Sequence, residues 1–185
     1  MSSIRSGVEG LKRAVLLDTS AFIVGYEASD LTVEQYTVPP VLDELSEEGL
    51  PRIRLENAIR NGRVKVVPPE PGYVAEIEAI IAEMGEKGVL SETDAELLAL
   101  GLQMKATDHE AVIVSEDYSV QNIADHLGLE FRALATPGIR RRLVWMTYCP
   151  GCRGTFGELK PGGACPICGT TLKRKPVKKS EIERR

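Results

Sequence analysis

The four cysteines of this chain fall in two pairs of identical spacing, Cys149-Pro-Gly-Cys152 and Cys165-Pro-Ile-Cys168, and the sequence holds no others. Each CxxC turn can direct two sulfurs at one metal ion, and two such turns complete a tetrahedral site with metal–sulfur distances of about 2.3 Å. The twelve residues between Cys152 and Cys165 suit a compact ribbon. A segment of roughly 30 residues is too small to bury a core of its own, so the metal has to supply the folding energy. Zinc fits a closed thiolate site with no redox role, whereas iron would give a rubredoxin-like centre from similar spacing. Neither pair opens a helix in a strand–helix–strand unit, which argues against a thioredoxin-like redox pair.

Upstream of the cysteines the pattern changes. Ala14–Leu17 and Ala111–Val114 are short apolar runs, each ending in an acid, and Val64–Val67 and Leu129–Leu134 read as further strands. Helices are expected from Val41 to Glu48 after Pro39-Pro40, from Arg52 to Arg60, from Val74 to Met84, from Ser91 onward and from Ser119 to Leu127. Strands alternating with helices imply a parallel sheet covered on both faces, in one α/β unit over residues 13–135. A flexible leader over 1–12 precedes it. A linker over 136–142, a metal ribbon over 143–175 and a basic, disordered tail over 176–185 follow.

The charge is divided the same way. Residues 1–131 carry 10 Lys+Arg against 24 Asp+Glu, and residues 132–185 carry 13 against 3, so a net −14 meets a net +10 within an overall −4. An acidic body with a basic arm favours nucleic-acid contact by the arm. Arg140, Arg141 and Arg142, then Lys173, Arg174 and Lys175, are the candidate phosphate contacts, and Trp145, Tyr148 and Phe156 are candidates for stacking on unpaired bases or for packing the ribbon. No apolar run approaches the roughly 18 residues of a membrane span, and no secretory h-region follows the N-terminal basic residues. A cytoplasmic location with reduced thiols is the expectation.

Parallel α/β sheets gather their ligand sites at the carboxyl ends of the strands. Asp18 and Asp117 follow expected strands, Asp94 lies in the first turn of a helix, and Glu44 falls nearer the buried stripe of Val41, Leu42 and Leu45 than Asp43 does. Such acids can simply cap helices: Asp94, three residues after Ser91, suits a capping box. Brought together, they would repel unless a hard divalent cation such as Mg²⁺ or Mn²⁺ neutralised them, and that cation would activate water against a phosphodiester. Ser20 and Ser115 are placed to hold a carboxylate or a water. His109 and His126 read as surface residues, so paired-histidine ribonuclease chemistry is not expected.

Three stretches carry a resemblance. Leu17-Asp18-Thr19-Ser20-Ala21-Phe22-Ile23, Ser91-Glu92-Thr93-Asp94-Ala95-Glu96-Leu97-Leu98, and Val114-Ser115-Glu116-Asp117-Tyr118-Ser119-Val120-Gln121-Asn122-Ile123-Ala124 resemble the acidic motifs of PIN-domain nucleases. With the four-cysteine ribbon behind them, the order resembles the archaeal-type Nob endonucleases of ribosome biogenesis. The resemblance implies an α/β/α sandwich around a central parallel sheet, with Asp18, Glu44, Asp94 and Asp117 as Mg²⁺ or Mn²⁺ ligands and one structural Zn²⁺. It implies metal-dependent cutting of single-stranded precursor rRNA at the 3′ end of small-subunit rRNA, on a small-subunit precursor with assembly factors as partners. The chain departs from the family at Glu116, where an aspartate is common. A toxin-type PIN ribonuclease, a non-catalytic RNA- or ribosome-binding scaffold and a ribbon-bearing DNA-binding factor are the competing readings.

Overall fold

A computed structural model describes residues 12–28, 33–157 and 159–182. Five strands form one parallel sheet in the order β3-β2-β1-β4-β5: β1 (Lys12–Leu17), β2 (Glu34–Thr37), β3 (Lys65–Val66), β4 (His109–Val114) and β5 (Glu130–Arg132). The registers run from Lys12↔His109 to Leu17↔Val114 between β1 and β4, so the two apolar runs end side by side. Both are buried because helices cover the sheet on its two faces, which is why they show no polar alternation. The helices are α1 (Thr19–Ile23), α2 (Pro39–Glu44), α3 (Leu50–Arg60), α4 (Pro71–Glu83), α5 (Glu92–Ala106) and α6 (Tyr118–His126). Prolines occupy the first turns of α2, α3 and α4, where a missing N–H costs no helical hydrogen bond.

α5 is the central helix, with Ala95, Leu97, Leu98, Ala99, Leu100, Gly101 and Met104 all buried. Gly101 lets it lie close on the sheet: a Cβ there would sit 2.9 Å from Ile113 Cδ1 and 3.2 Å from Leu129 Cδ1. Several elements differ from the sequence expectation. β2 is a full inner strand, although Glu34-Gln35-Tyr36-Thr37 offers no apolar run, and α2 stops at Glu44 because Leu45 turns extended. Val64–Val67 and Leu129–Leu134 contribute only the shorter strands β3 and β5.

The C-terminal part is a three-stranded antiparallel sheet in the order β7-β6-β8, from β6 (Arg141–Tyr148), β7 (Thr155–Phe156) and β8 (Lys173–Glu181). Here the expectation of a disordered tail from residue 176 needs correction. Pro176 to Glu181 belong to β8, paired with β6 as far as Arg141↔Glu181, so backbone pairing overrides a composition that looks unfoldable alone. Arg141 and Arg142, assigned to the linker, likewise lie in β6. The expected leader, apart from Lys12 in β1, and the last three residues of the expected tail fall outside the described residues.

β6 packs directly on the larger unit. Val144 joins the main core, and the Trp145 amide donates to the Met84 carbonyl at 2.8 Å. Gly85 makes that approach possible: it adopts φ +72°, and a Cβ there would meet the Trp145 carbonyl oxygen at 1.9 Å. Asn122 closes the seam by exchanging two hydrogen bonds with the Leu143 backbone, both at 2.7 Å.

Candidate active site and metal centre

Asp18 and Ser115 are the first residues past the ends of neighbouring strands β1 and β4, which puts both at the carboxyl edge of the sheet. Asp18 is only 5% exposed. Its Oδ1 accepts from the Thr19 amide, and its Oδ2 accepts from the hydroxyls of Ser20 and Ser115, each at 2.7 Å. Burial raises its carboxyl above the ordinary value against the pull of those bonds, and the charge of Glu44 raises it further. Ser115 also receives the Asp117 amide at 3.0 Å, so one hydroxyl spans the two acids. The Ser20 hydroxyl accepts from the Glu116 amide at 3.0 Å, tying the loops after β1 and β4 together.

The capping roles expected of these acids are all present. Asp18 caps α1, Asp117 caps α6 by accepting from the Ser119 amide at 2.6 Å, and Asp94 completes a capping box with Ser91 at the head of α5. Capping does not exhaust them, because the charges of Asp18 and Asp117 act on Asp94. The Asp94 carboxyl is pushed up to about 6, first by burial and then, past the opposing hydrogen bonds from Ser91, by the charges of Asp18 and Asp117. Three helix N-termini thus hold three carboxylates at one sheet edge, where helix dipoles favour negative charge and mutual repulsion opposes it.

Glu44 is exposed at the end of α2, and its Oε2 accepts from the Thr19 hydroxyl at 2.5 Å, which turns it toward Asp18. From the sequence Thr19 reads only as one of the cap residues Asp18-Thr19-Ser20. Asp43 is exposed as well. Glu116 turns away from the group: its carboxylate accepts from the amides of Leu134, Ala135 and Thr136 at 2.5 to 3.0 Å. Burial works against it, but those amides together hold its carboxyl below the ordinary range. Glu116 therefore anchors the segment leading to β6. His109 starts β4 and His126 ends α6, so neither lies at the acidic edge.

Among the described residues, the four cysteines are the group whose ligand atoms all lie within 4.8 Å of one another. Cys149 Sγ lies 3.4 Å from Cys168 Sγ, and Cys152 Sγ lies 3.7 Å from Cys165 Sγ. A tetrahedral site with metal–sulfur bonds of about 2.3 Å has sulfur–sulfur edges of about 3.8 Å, so the sulfurs of the two knuckles stand where one ion requires them. Amides of Cys152 and Ile167 point at Cys149 and Cys165 sulfurs at 3.4 Å, as thiolates demand. Among the described residues, the acids of the sheet edge do not form such a group.

The basic candidates divide. Arg140, Arg141, Lys173 and Lys175 are exposed, with the Lys175 ammonium over the Tyr148 ring at 5.0 Å. Arg142 pairs with Asp125 at 3.5 Å and donates to the Asp125 carbonyl and Ser180. Arg174 stacks on Trp145, 4.3 Å from the ring centroid, and pairs with Glu86 at 2.8 Å. Trp145 and Arg174 thus serve the seam between the two parts, and Phe156 packs against Cys149, Cys165 and Leu172 in the ribbon core. Glu86, fully buried, and the buried Gln121 and Asn122 were not singled out from the sequence. The trace that the two amides leave there is an adjacent pair, Gln121-Asn122, in the middle of α6.

Among the described residues, no helix is long and apolar enough to cross a membrane. Residues 15–104 match the family described as the PIN domain of ribonuclease. The chain is 42% identical to Endoribonuclease Nob1 of Pyrococcus abyssi over 166 residues, covering 90% of this chain and 96% of that protein. It is 32% identical to Endoribonuclease Nob1 of Methanocaldococcus jannaschii, with 91% and 81% covered. To Endoribonuclease Nob1 of Methanothermobacter thermautotrophicus it is 36% identical, with 86% and 91% covered.

Proposed function

This chain belongs to the Nob1 family of PIN-domain endoribonucleases, and from that premise we propose that it cuts single-stranded precursor rRNA at the 3′ end of small-subunit rRNA. The observation that carries the chemistry is the gathering of Asp18, Asp94 and Asp117 at one sheet edge, where Ser115 donates to Asp18 Oδ2 and accepts from the Asp117 amide and both charges act on Asp94. Asp18, Glu44, Asp94 and Asp117 are the proposed ligands of Mg²⁺ or Mn²⁺. A bound divalent cation supplies a Lewis acid and an activated water for attack on the phosphodiester. Ser20 and Ser115 hold the Asp18 carboxylate in one rotamer, and Thr19 holds Glu44 beside it.

Zn²⁺ is the proposed ion of the ribbon, held by Cys149, Cys152, Cys165 and Cys168, and a reducing cytoplasm is the compartment that would keep those thiols free of disulfides. The acidic nuclease face has little attraction for RNA of its own, so exposed Arg140, Arg141, Lys173 and Lys175 supply phosphate contacts and Tyr148 a stacking surface. Small-subunit precursor RNA and the assembly factors bound to it are the proposed partners.

The test is cleavage of an RNA spanning the 3′ end of small-subunit rRNA, with Mn²⁺ or Mg²⁺, beside an Asp18→Asn variant. A discrete cut at the mature end, lost in the variant, is the expected result. Binding without any cut under both ions would favour the scaffold reading, and diffuse cutting of any RNA would remove the rRNA specificity.

A further inference from the structure

Glu86 is a fully buried carboxylate in the turn after α4. Removing one partner of a buried ion pair leaves an uncompensated charge, so a residue of this kind commits its neighbours. Its Oε2 takes Arg174 Nη1 of β8 at 2.8 Å and the Ser119 hydroxyl at 3.2 Å, and its Oε1 takes Asn122 Nδ2 at 3.1 Å. Ser119 is held at both ends: its amide donates to Asp117 Oδ1 at 2.6 Å while its hydroxyl is fixed by Glu86. The other side of the Arg174 guanidinium lies over the Trp145 ring. An unbroken series of contacts therefore runs from the ribbon, through Arg174, Glu86 and Ser119, to the carboxylate of Asp117.

We propose that Arg174 and Glu86 are positioning residues of the nuclease site: the docked ribbon fixes the first turn of α6 and with it the Asp117 carboxylate. This rests on the reading of Asp117 as a metal ligand. The Trp145–Met84 amide bond and the paired bonds of Asn122 with Leu143 hold the two parts together, with Glu86 supporting the Asn122 amide and Arg174. The Glu86–Ser119 bond adds nothing to that seam, because both residues belong to the nuclease part. Its consequence falls on Asp117. Hydrogen bonds to the ligands of a metal tune its affinity, and their loss typically weakens binding or activity about 10- to 100-fold.

The experiment is calorimetric titration of the full chain, zinc loaded and free of RNA, with Mn²⁺. Wild type is compared with Arg174→Met, Arg174→Lys, Ser119→Ala and Asp117→Asn, with zinc content and Trp145 emission recorded for each. Trp145 is the only tryptophan of the chain, so its emission reports ribbon docking directly. We expect Mn²⁺ affinity to fall on the order of tenfold in Arg174→Met and in Ser119→Ala with zinc content unchanged. Arg174→Lys recovers part of the loss. Ser119→Ala leaves Trp145 emission unaltered, which a merely structural seam would not predict alongside weaker Mn²⁺ binding. The double variant Arg174→Met with Ser119→Ala should bind no more weakly than the poorer single, because both cut one series. Wild-type Mn²⁺ affinity in Ser119→Ala and Arg174→Lys would overturn the proposal even if Arg174→Met failed to fold. Unchanged Mn²⁺ binding in Asp117→Asn would instead sink the reading of Asp117 on which the proposal stands.

Discussion

Burial, then the charges of Asp18 and Asp117, push the Asp94 carboxyl up to about 6 from an ordinary 3.8. The folded, metal-free protein therefore holds a proton that the unfolded chain has released between those two values, and stability falls as pH rises through that window. Above about pH 6 the whole cost is present. Asp94→Asn removes the charge while keeping an oxygen for Ser91, so it should stabilise the metal-free protein at pH 7 by on the order of 1–2 kcal/mol, discounted for solvent reaching the half-buried carboxyl. Urea unfolding in buffer free of Mg²⁺ and Mn²⁺ measures this, and the advantage should vanish by pH 4. The same group sets a second expectation. Protonation competes with metal, so the Mn²⁺ concentration for half-maximal cleavage should rise about tenfold from pH 7 to pH 5. A flat dependence would remove Asp94 from the ligand set. Asp18, Asp94 and Asp117 could be read in the sequence because each stands where a strand or a cap residue meets a helix start. Glu86 could not, since Gly85 and Gly88 around it mark a turn and nothing local announces a partner 88 residues away.

At the scale of elements, the close seating of α5 on the sheet makes a sharp case. Alanine is the better helix former by about 1 kcal/mol, yet Gly101→Ala drives a methyl to 2.9 Å from Ile113 and 3.2 Å from Leu129. Overpacking of a dense core costs about 1–3 kcal/mol, so the variant should be less stable by about 1 kcal/mol in urea, and a gain in stability would show that the sheet yields there. Helices were legible where apolar residues recurred at helical spacing, as for α4, or where proline marked a first turn, as for α2. β2 escaped because its buried residues include Gln35 and Thr37, whose polar groups are satisfied inside: Tyr26 donates to Gln35 Oε1 at 3.1 Å, and Thr37 donates to the Leu17 carbonyl at 2.8 Å. β8 escaped for a different reason. Its alternation of exposed lysines with half-buried Arg174 and Pro176 has meaning only once β6 lies beside it.

For the whole molecule, the division of −14 and +10 between the two ends of the sequence sets the ionic response of RNA binding. Each lost phosphate contact to a single strand lowers the slope of log affinity against log salt by about 0.7. Changing Arg141, Lys173 and Lys175 together to alanine should therefore reduce that slope by roughly 2, read by filter binding across a series of KCl concentrations. An unchanged slope would place the contacts elsewhere. Stripping the metal from the four cysteines should unfold β6 to β8, shift Trp145 emission to the red and leave the circular dichroism of the larger unit's helices in place. The two-part organisation was legible because the cysteine spacing and the charge division change in the same region of the chain. The seam was not, because it is built from Gly85, Glu86, Asn122 and Trp145, each with a plausible local role.

The pairing of Glu86 with Arg174 also has a consequence in time. A ribosome delivers Glu86 first and needs roughly 4 to 18 s, at about 5–20 residues per second, to add the 88 residues up to its counter-ion. The first part of that interval completes the nuclease unit itself, whose last strand ends at Arg132; only the final 42 residues, from there to Arg174, separate a finished sheet from the cation that Glu86 awaits. If Arg174 and Glu86 position Asp117 as proposed, the cutting edge of a newly made chain stays slack until the last strand comes home.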